Sequence, residues 1–309
     1  MSYEGTMLEK LSMPTRKEVE VALLTTLFNH NGIIKEFSSG EEIVNEIADM
    51  FVLNEEQRKT ELERIYKKEN RIVKTPLWHR LLYRAADTLA KEKLVTRPTT
   101  TLLLTERREW MLTEKGIDKA MSILNIASEQ KKFLPVKTFE VQEEIKNITA
   151  MPLPRDYNPI GSVKSAKIIS REMSIRSRSF RQAIINVYDY TCCVCGLKIQ
   201  SPDSLHWEVE AAHIVPHGSQ GKDDIWNGIA LCRLHHWAFD TGWFSVTDEH
   251  TLVVSSQIKN TANDCSMGIG NSFFKNSLTA NKPIILPKQD TFYPHKLSLE
   301  WHRQHILFR

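Results

Sequence analysis

Two short pairs of metal-type side chains constrain this chain more than anything else in it. Cys192 and Cys195 form a C-x-x-C pair on a turn ending at Gly196, and Cys232 and His235 form a later C-x-x-H pair. A two-residue gap lets both side chains of a pair point at one ion. Two such pairs on separate elements complete the closed tetrahedral shell of a structural Zn²⁺ site. Cys193 lies inside the first pair, but its spacing to Cys195 suits a shared ion poorly. The competing reading, buried free thiols packed as small apolar groups, is weaker against two matched pairs. Four of the five cysteines fall in this stretch, which points to metal rather than disulfides and to a reducing compartment. The remaining one, Cys265, stands apart.

The residues between the pairs have a pattern of their own. Leu205 to Val215 alternates, with Leu205, Trp207, Val209 and Ala211 set against His206, Glu208 and Glu210, which predicts a strand stopped by Pro216. Gly218, Gly221 and Asn227-Gly228 make the following segment a loop. Ile229-Ala230-Leu231 returns as a short strand, and Leu234 to Asp240 reads as a helix that stops near Gly242. The unit is therefore strand, loop, strand, helix, with zinc pinning the hairpin base and the helix start. Beyond it, Trp243 to Ser256 reads as a hairpin turned at Asp248-Glu249. The remainder, with P-I-I-L-P and Trp301 to Phe308, is expected to pack back on this unit.

The segments E-A-A-H-I-V-P, N-G-I-A-L-C and H-H-W-A-F-D-T-G resemble the HNH endonuclease family, whose core is the ββα-metal fold, and in particular its branch among bacterial restriction enzymes. The three name residues map to His213, Asn227 and His236. The resemblance implies hydrolysis of DNA phosphodiester bonds. His213 would be the general base, since imidazole titrates near the operating pH. His236 would hold a divalent cation, Mg²⁺ or a transition metal, against a phosphate oxygen and the leaving 3′ oxygen. Asn227 would tie down the loop so that His213 presents the correct nitrogen. Asp240, one helical turn after His236 and on the same face, is a candidate second ligand, as is Glu210. Many relatives carry an Asp or His ligand just before the base; here that position is Ala212.

Ahead of this core the chain reads as helical with one hairpin. Residues 1 to 15 look like a loose leader. Helical spacing covers Arg16 to Asn29, a short extended piece follows at Ile33 to Phe37, and Ser39 with Glu42 suggests a capping box for a second helix. A charged third helix is expected from Asn54 through Tyr66, then a loop from Lys67 to Lys74. Pro76 opens a helix to about Lys91 that buries Leu77, Trp78, Leu81, Leu82, Ala85 and Leu89. Leu94-Val95, Thr99 to Thr105 and Glu109 to Leu112 read as a hairpin wing, followed by a final helix in T-E-K-G-I-D-K-A-M. Helices, a recognition-type helix and a wing make a winged helix, and L-N-E-E-Q, K-E-K-L-V and L-T-E-K-G resemble the N-terminal domain of Mrr-type restriction enzymes.

In a winged helix, Arg80 and Arg84 would face bases or phosphates, with Arg97, Arg107 and Arg108 in or beside the wing. The alternative is that they solvate the domain, or that the wing serves protein contacts. Lys137 to Ile148 reads as a helix or strand, and the Pro-rich stretch from Met151 to Gly161 as the linker proper. Lys164, Lys167, Arg171, Arg176, Arg178 and Arg181, against the single acid Glu172, make a cationic entry suited to a phosphate backbone.

At 309 residues the chain has room for two domains, and a net charge of +3 is too small to establish a nucleic-acid partner by itself. No apolar run approaches a membrane span, and the N-terminus lacks a secretory signal. The expected fold is α+β: a winged-helix DNA-recognition domain over 1–130, a linker over 131–163, and a zinc-stapled HNH domain over 164–309. The expected function is a cytoplasmic restriction endonuclease acting on double-stranded DNA, working as a homodimer if both strands are cut. A relaxed nuclease of toxin or repair type and a non-cleaving winged-helix regulator are the alternatives.

Overall fold

The computed structural model describes residues 3–66, 71–161, 170–202, 206–260 and 270–308. Lys164, Lys167, Leu205, Cys265 and the tip of the expected loop at 67–70 lie outside the described residues, as does the side chain of Arg171. The chain divides into two compact units, Met1–Glu143 and Glu144–Arg309.

In the first unit, α1 (Tyr3–Lys10) and α2 (Arg16–Asn29) are followed by β1 (Ile33–Lys35), α3 (Glu41–Met50) and α4 (Glu55–Lys59). Then come β2 (Glu61–Tyr66), β3 (Arg71–Pro76), α5 (Leu77–Lys91), β4 (Val95–Thr96), α6 (Pro98–Thr105), β5 (Glu109–Leu112) and α7 (Glu114–Ile123). Helix α8 (Phe139–Ala150) spans the division between the units. Strands β1, β5 and β4 form one antiparallel sheet in that order, and β2 pairs with β3 as a separate ribbon. The core is the apolar face of α5 against α2: all six residues expected inside α5 are buried, and the Trp78 indole N–H donates to the Val44 carbonyl at 3.1 Å.

Several local expectations fail, each for an identifiable reason. The leader is helical from Tyr3, and Glu4 is buried there. Residues 61–66 are a strand rather than the end of a helix. Thr60 turns extended, and E-L-E-R-I-Y then pairs residue for residue with R-I-V-K-T-P, whose β-branched side chains favour a ribbon. The expected loop is therefore the second strand from Arg71 onward. Thr99 to Thr105 is helix, not wing. Pro98 presets the first helical φ and Thr101 turns its hydroxyl to the Glu109 carbonyl, which outweighs the β preference of the threonines. Helix α3 is capped at Gly40 with no side-chain bond, so the Ser39 capping box does not form.

The second unit contains α9 (Ser170–Val187), β6 (Val209–His213), β7 (Gly228–Cys232), α10 (Arg233–Asp240), β8 (Phe244–Val246), β9 (Leu252–Val254), α11 (Gly270–Ser277) and α12 (Lys296–His305). Strand β6 is shorter than its alternating pattern suggested. It pairs antiparallel with β7, setting Val209 opposite Cys232 and His213 opposite Gly228. Phe180 and Ile184 of α9 pack on this hairpin from one side, and Ala238 and Phe239 of α10 close the core. Burial of each such side chain contributes about 1.5–3 kcal/mol. The hairpin β8–β9 turns where expected, and α12 packs against β8, its His302 ring stacked 3.6 Å from Phe239.

Candidate active site and metal centre

The metal centre draws on a turn, a strand end and a helix. Gly196 has φ +78, which lets its N–H return to the Cys192 carbonyl and brings Cys192 and Cys195 onto one side of the turn. The Cys193 N–H donates to Ala230 at 2.8 Å, fastening that turn to β7. Cys232 both ends β7 and caps α10, so His235 lies one turn into the helix. The ligand atoms of Cys192, Cys195, Cys232 and His235 lie within 4.8 Å of one another; among the described residues no other group of three His, Cys, Asp or Glu does so. Cys193, fully buried, stands outside the group.

The cluster's chemistry fits a zinc ion. His235 Nδ1 is 3.0 Å from Cys232 Sγ and 3.7 Å from Cys192 Sγ. Its other nitrogen, Nε2, is 2.8 Å from the Ser277 hydroxyl, which itself donates to the Phe274 carbonyl at 2.7 Å. The serine oxygen therefore accepts from Nε2–H, leaving the bare Nδ1 lone pair aimed at the sulfurs. Crowding drives the thiols apart in acidity: contacts with Cys195 and Cys232 hold Cys192 far below the usual thiol range, while contacts with Cys192 and Cys195 push Cys232 up. Burial pulls the His235 ring down, but Cys192 and Cys195 overcome it and raise it to about 9. Three sulfurs and one imidazole in a closed, largely buried shell can hold Zn²⁺, which relieves this crowding.

The second cluster surrounds the hairpin mouth. Asn227 is fully buried; its Oδ1 accepts from Val215 N–H at 2.8 Å, and its Nδ2 donates to the carbonyls of Val215 (3.1 Å) and Lys222 (3.0 Å). Both ends of the loop are thereby tied to one side chain. Two glycines make room for it. A Cβ on Gly221 would meet the Val215 oxygen at 1.8 Å, and one on Gly228 would meet Ile184 at 2.4 Å and Phe180 at 2.9 Å. At the loop tip, by contrast, a Cβ on Gly218 would meet nothing within 4 Å.

That close approach of α9 stacks the Phe180 ring on His213, with centroids 3.9 Å apart and planes 16° apart. His213 Nε2 lies 2.8 Å from Asp223 Oδ1. On α10, His236 stands between two carboxylates, with Nδ1 3.0 Å from Glu210 and Nε2 3.5 Å from Asp240. The hydrogen bond from Glu210 is the main cause that raises the His236 ring above its ordinary value, with Asp240 adding to it and Arg181 opposing it. Burial raises the Asp240 carboxyl, and the charges of His236 and His213 both pull against that rise. Asp240 thus senses both imidazoles. Ala212, in the position before His213, is fully buried and offers no donor atom.

The arginines expected to meet DNA are variously engaged. Arg80 and Arg84 both reach Oε2 of the buried Glu4 at 2.8 Å, Arg108 pairs with Glu36 at 2.6 Å, and Arg97 with Asp87 at 2.6 Å. Arg107 is exposed, Arg176 half-buried and Arg178 buried. The residue-type reading passed over Asp223, Phe180 and Ser277. Only Asp223 carried a signal, as the first of two adjacent aspartates just ahead of W-N-G; the other two meet their histidines purely through packing.

A hairpin whose loop is closed by a buried asparagine, with one histidine at the first strand's end and another on the following helix, is the ββα-metal arrangement of a nuclease core. The family model described as HNH endonuclease matches residues 192–247, so this span is an HNH endonuclease domain within a larger chain. No curated protein matches the chain. Among solved structures, the modification dependent TagI restriction endonuclease is similar at 19% identity with a TM-score of 0.30, over 47% of this chain and 39% of that one. Among the described residues, no helix is long and apolar enough to cross a membrane.

Proposed function

We propose that this chain is a DNA endonuclease that hydrolyses phosphodiester bonds at its HNH domain and serves in restriction of foreign DNA. The observation that carries the reading is the meeting of two imidazoles from different elements around shared carboxylates: Asp240 senses both His213 and His236, and Glu210 holds His236 from the other side. His213 takes the proton of the attacking water. Asn227 keeps the loop closed so that this ring stays presented to the cleft. His236 with Asp240 or Glu210 would hold the divalent cation. The two carboxylates sit on opposite ring nitrogens, so one shares the ion with the imidazole while the other orients the ring from behind. Imidazole with carboxylate suits Mg²⁺ or a first-row transition metal. When bound, such a cation supplies positive charge against the phosphate and the departing 3′ oxygen.

We assign DNA recognition to the first unit as a winged-helix domain, supported by the β1–β5–β4 sheet that follows and flanks α5. Binding there requires Arg80, Arg84, Arg97 and Arg108 to exchange their carboxylate partners for phosphates, with Arg107 already exposed. Arg176, Arg178 and Arg181 lie on α9, beside the HNH hairpin. A homodimer would provide one such core per strand. The test is incubation of the purified zinc-loaded protein with plasmid and phage DNA of differing base modification, with Mg²⁺, Mn²⁺, Ni²⁺ or chelator. Metal-dependent nicking that His213→Ala lowers on the order of 10²–10⁴-fold is the expected result. Cleavage at the wild-type rate by that variant removes the base. Retained DNA binding with no cleavage of any substrate favours a non-cleaving regulator.

A further inference from the structure

We infer that Asp223 is a positioning residue that fixes the tautomer of His213, and so selects Nδ1 as the nitrogen that receives the proton. The inference rests on the reading of His213 as the base. A carboxylate only accepts, so with Asp223 Oδ1 2.8 Å from Nε2, that nitrogen carries the hydrogen. In the neutral ring the free lone pair is then on Nδ1, to which the described residues make no hydrogen bond.

Asp223 is itself held on both sides. The carbonyl of Lys222 before it accepts from Asn227 Nδ2 at 3.0 Å, and the Lys222 N–H donates to the Pro159 carbonyl at 3.0 Å. The carboxylate of Asp224 after it accepts from the Tyr157 hydroxyl at 2.9 Å and from the Asn227 N–H at 3.0 Å. The ring it meets is equally restrained, flat on the fully buried Phe180. Fixing the plane by stacking and one edge by a carboxylate leaves a single nitrogen for chemistry. When a water proton moves to Nδ1, the ring becomes an imidazolium whose Nε2–H still faces Asp223, and the carboxylate stabilises the new charge. The loop asparagine therefore acts at one remove: it holds the segment that holds the ring.

The experiment uses the full-length, zinc-loaded protein labelled with ¹⁵N-histidine, read by long-range proton–nitrogen correlation at mildly alkaline pH, with His213→Gln to assign the signal. Wild-type His213 is expected as the Nε2–H tautomer. In Asp223→Asn, whose amide can donate to Nε2, the signal should shift toward Nδ1–H. Its kcat for plasmid nicking should fall at least about 10²-fold with KM changed by no more than about twofold. Asp223→Glu should recover part of both. A wild-type Nδ1–H tautomer overturns the inference, as does an Asp223→Asn variant with unmoved tautomer, whatever its melting temperature. If the tautomer is as expected but His213→Ala cleaves at the wild-type rate, the base reading fails and the catalytic half of the inference falls, while the ring's orientation by Asp223 stands.

Discussion

Replacing Asn227 by alanine tests whether a single amide holds the active-site loop. The substitution leaves the Val215 N–H and C=O without their side-chain partner in a place where Val215 is fully buried. Each orphaned group costs about 1–3 kcal/mol, so the pair costs about 2–6 kcal/mol. The Lys222 carbonyl also loses its bond, but Lys222 is only half-buried and water can replace the amide there. In a unit of this size each kcal/mol lowers the melting point by about 2–4 °C, giving an expected loss of about 5–20 °C. Calorimetry on the zinc-loaded full-length chain reads this, with the second unit's transition identified by its response to a zinc chelator. Hydrogen exchange at the Val215 amide should accelerate at the same time. Asn227→Asp keeps the acceptor for Val215 but turns a carboxylate on two carbonyls, and should be at least as damaging at neutral pH. A melting point within about 2 °C of wild type, with the Val215 amide still protected, refutes the reasoning.

Two further outcomes follow from buried histidines. Ser277→Ala removes the acceptor that fixes the His235 tautomer, so zinc affinity should fall on the order of 10–100-fold in a chelator competition, with the cluster's four ligands intact; unchanged affinity would show that packing alone sets the ring. His302, stacked on Phe239 and bonded to Ser245 Oγ at 2.9 Å, is driven down to about 3 chiefly by burial. It stays neutral in the folded protein while the unfolded chain takes a proton near pH 6.5, so stability is full above that value. Stability should then decline as pH falls from about 6.5 toward 3, by several kcal/mol in total. His302→Phe should flatten the melting temperature in that window, and an identical slope in the variant would count against the assignment.

The parts that could be read from the chain alone are those where chemistry dictates spacing. The two ligand pairs, the His213–Asn227–His236 order, the short returning strand and the buried face of α5 all have local reasons, and the structure places them accordingly. What escaped was set by partners distant in sequence. Nothing near Arg80 or Arg84 announces Glu4, and nothing near His235 announces Ser277. The charged run at 61–66 has good helix formers yet becomes a strand, because its pairing partner lies in the segment that follows. The threonines of α6 carry strand preference and lose to one proline and one hydroxyl contact. Local preference is worth tenths of a kcal/mol per residue, and a ladder of paired strands or a packed face exceeds it readily.

The open position at Gly218 has a practical use. Because the loop is anchored at Val215 and at Lys222, its tip projects without supporting anything, and a side chain introduced there would have no neighbour to displace. A photoreactive group at that residue would sit a few residues along from His213 on an otherwise undisturbed domain. It would form adducts with whatever nucleic acid enters the cleft, so the native substrate could be captured from cells before any recognition sequence is known.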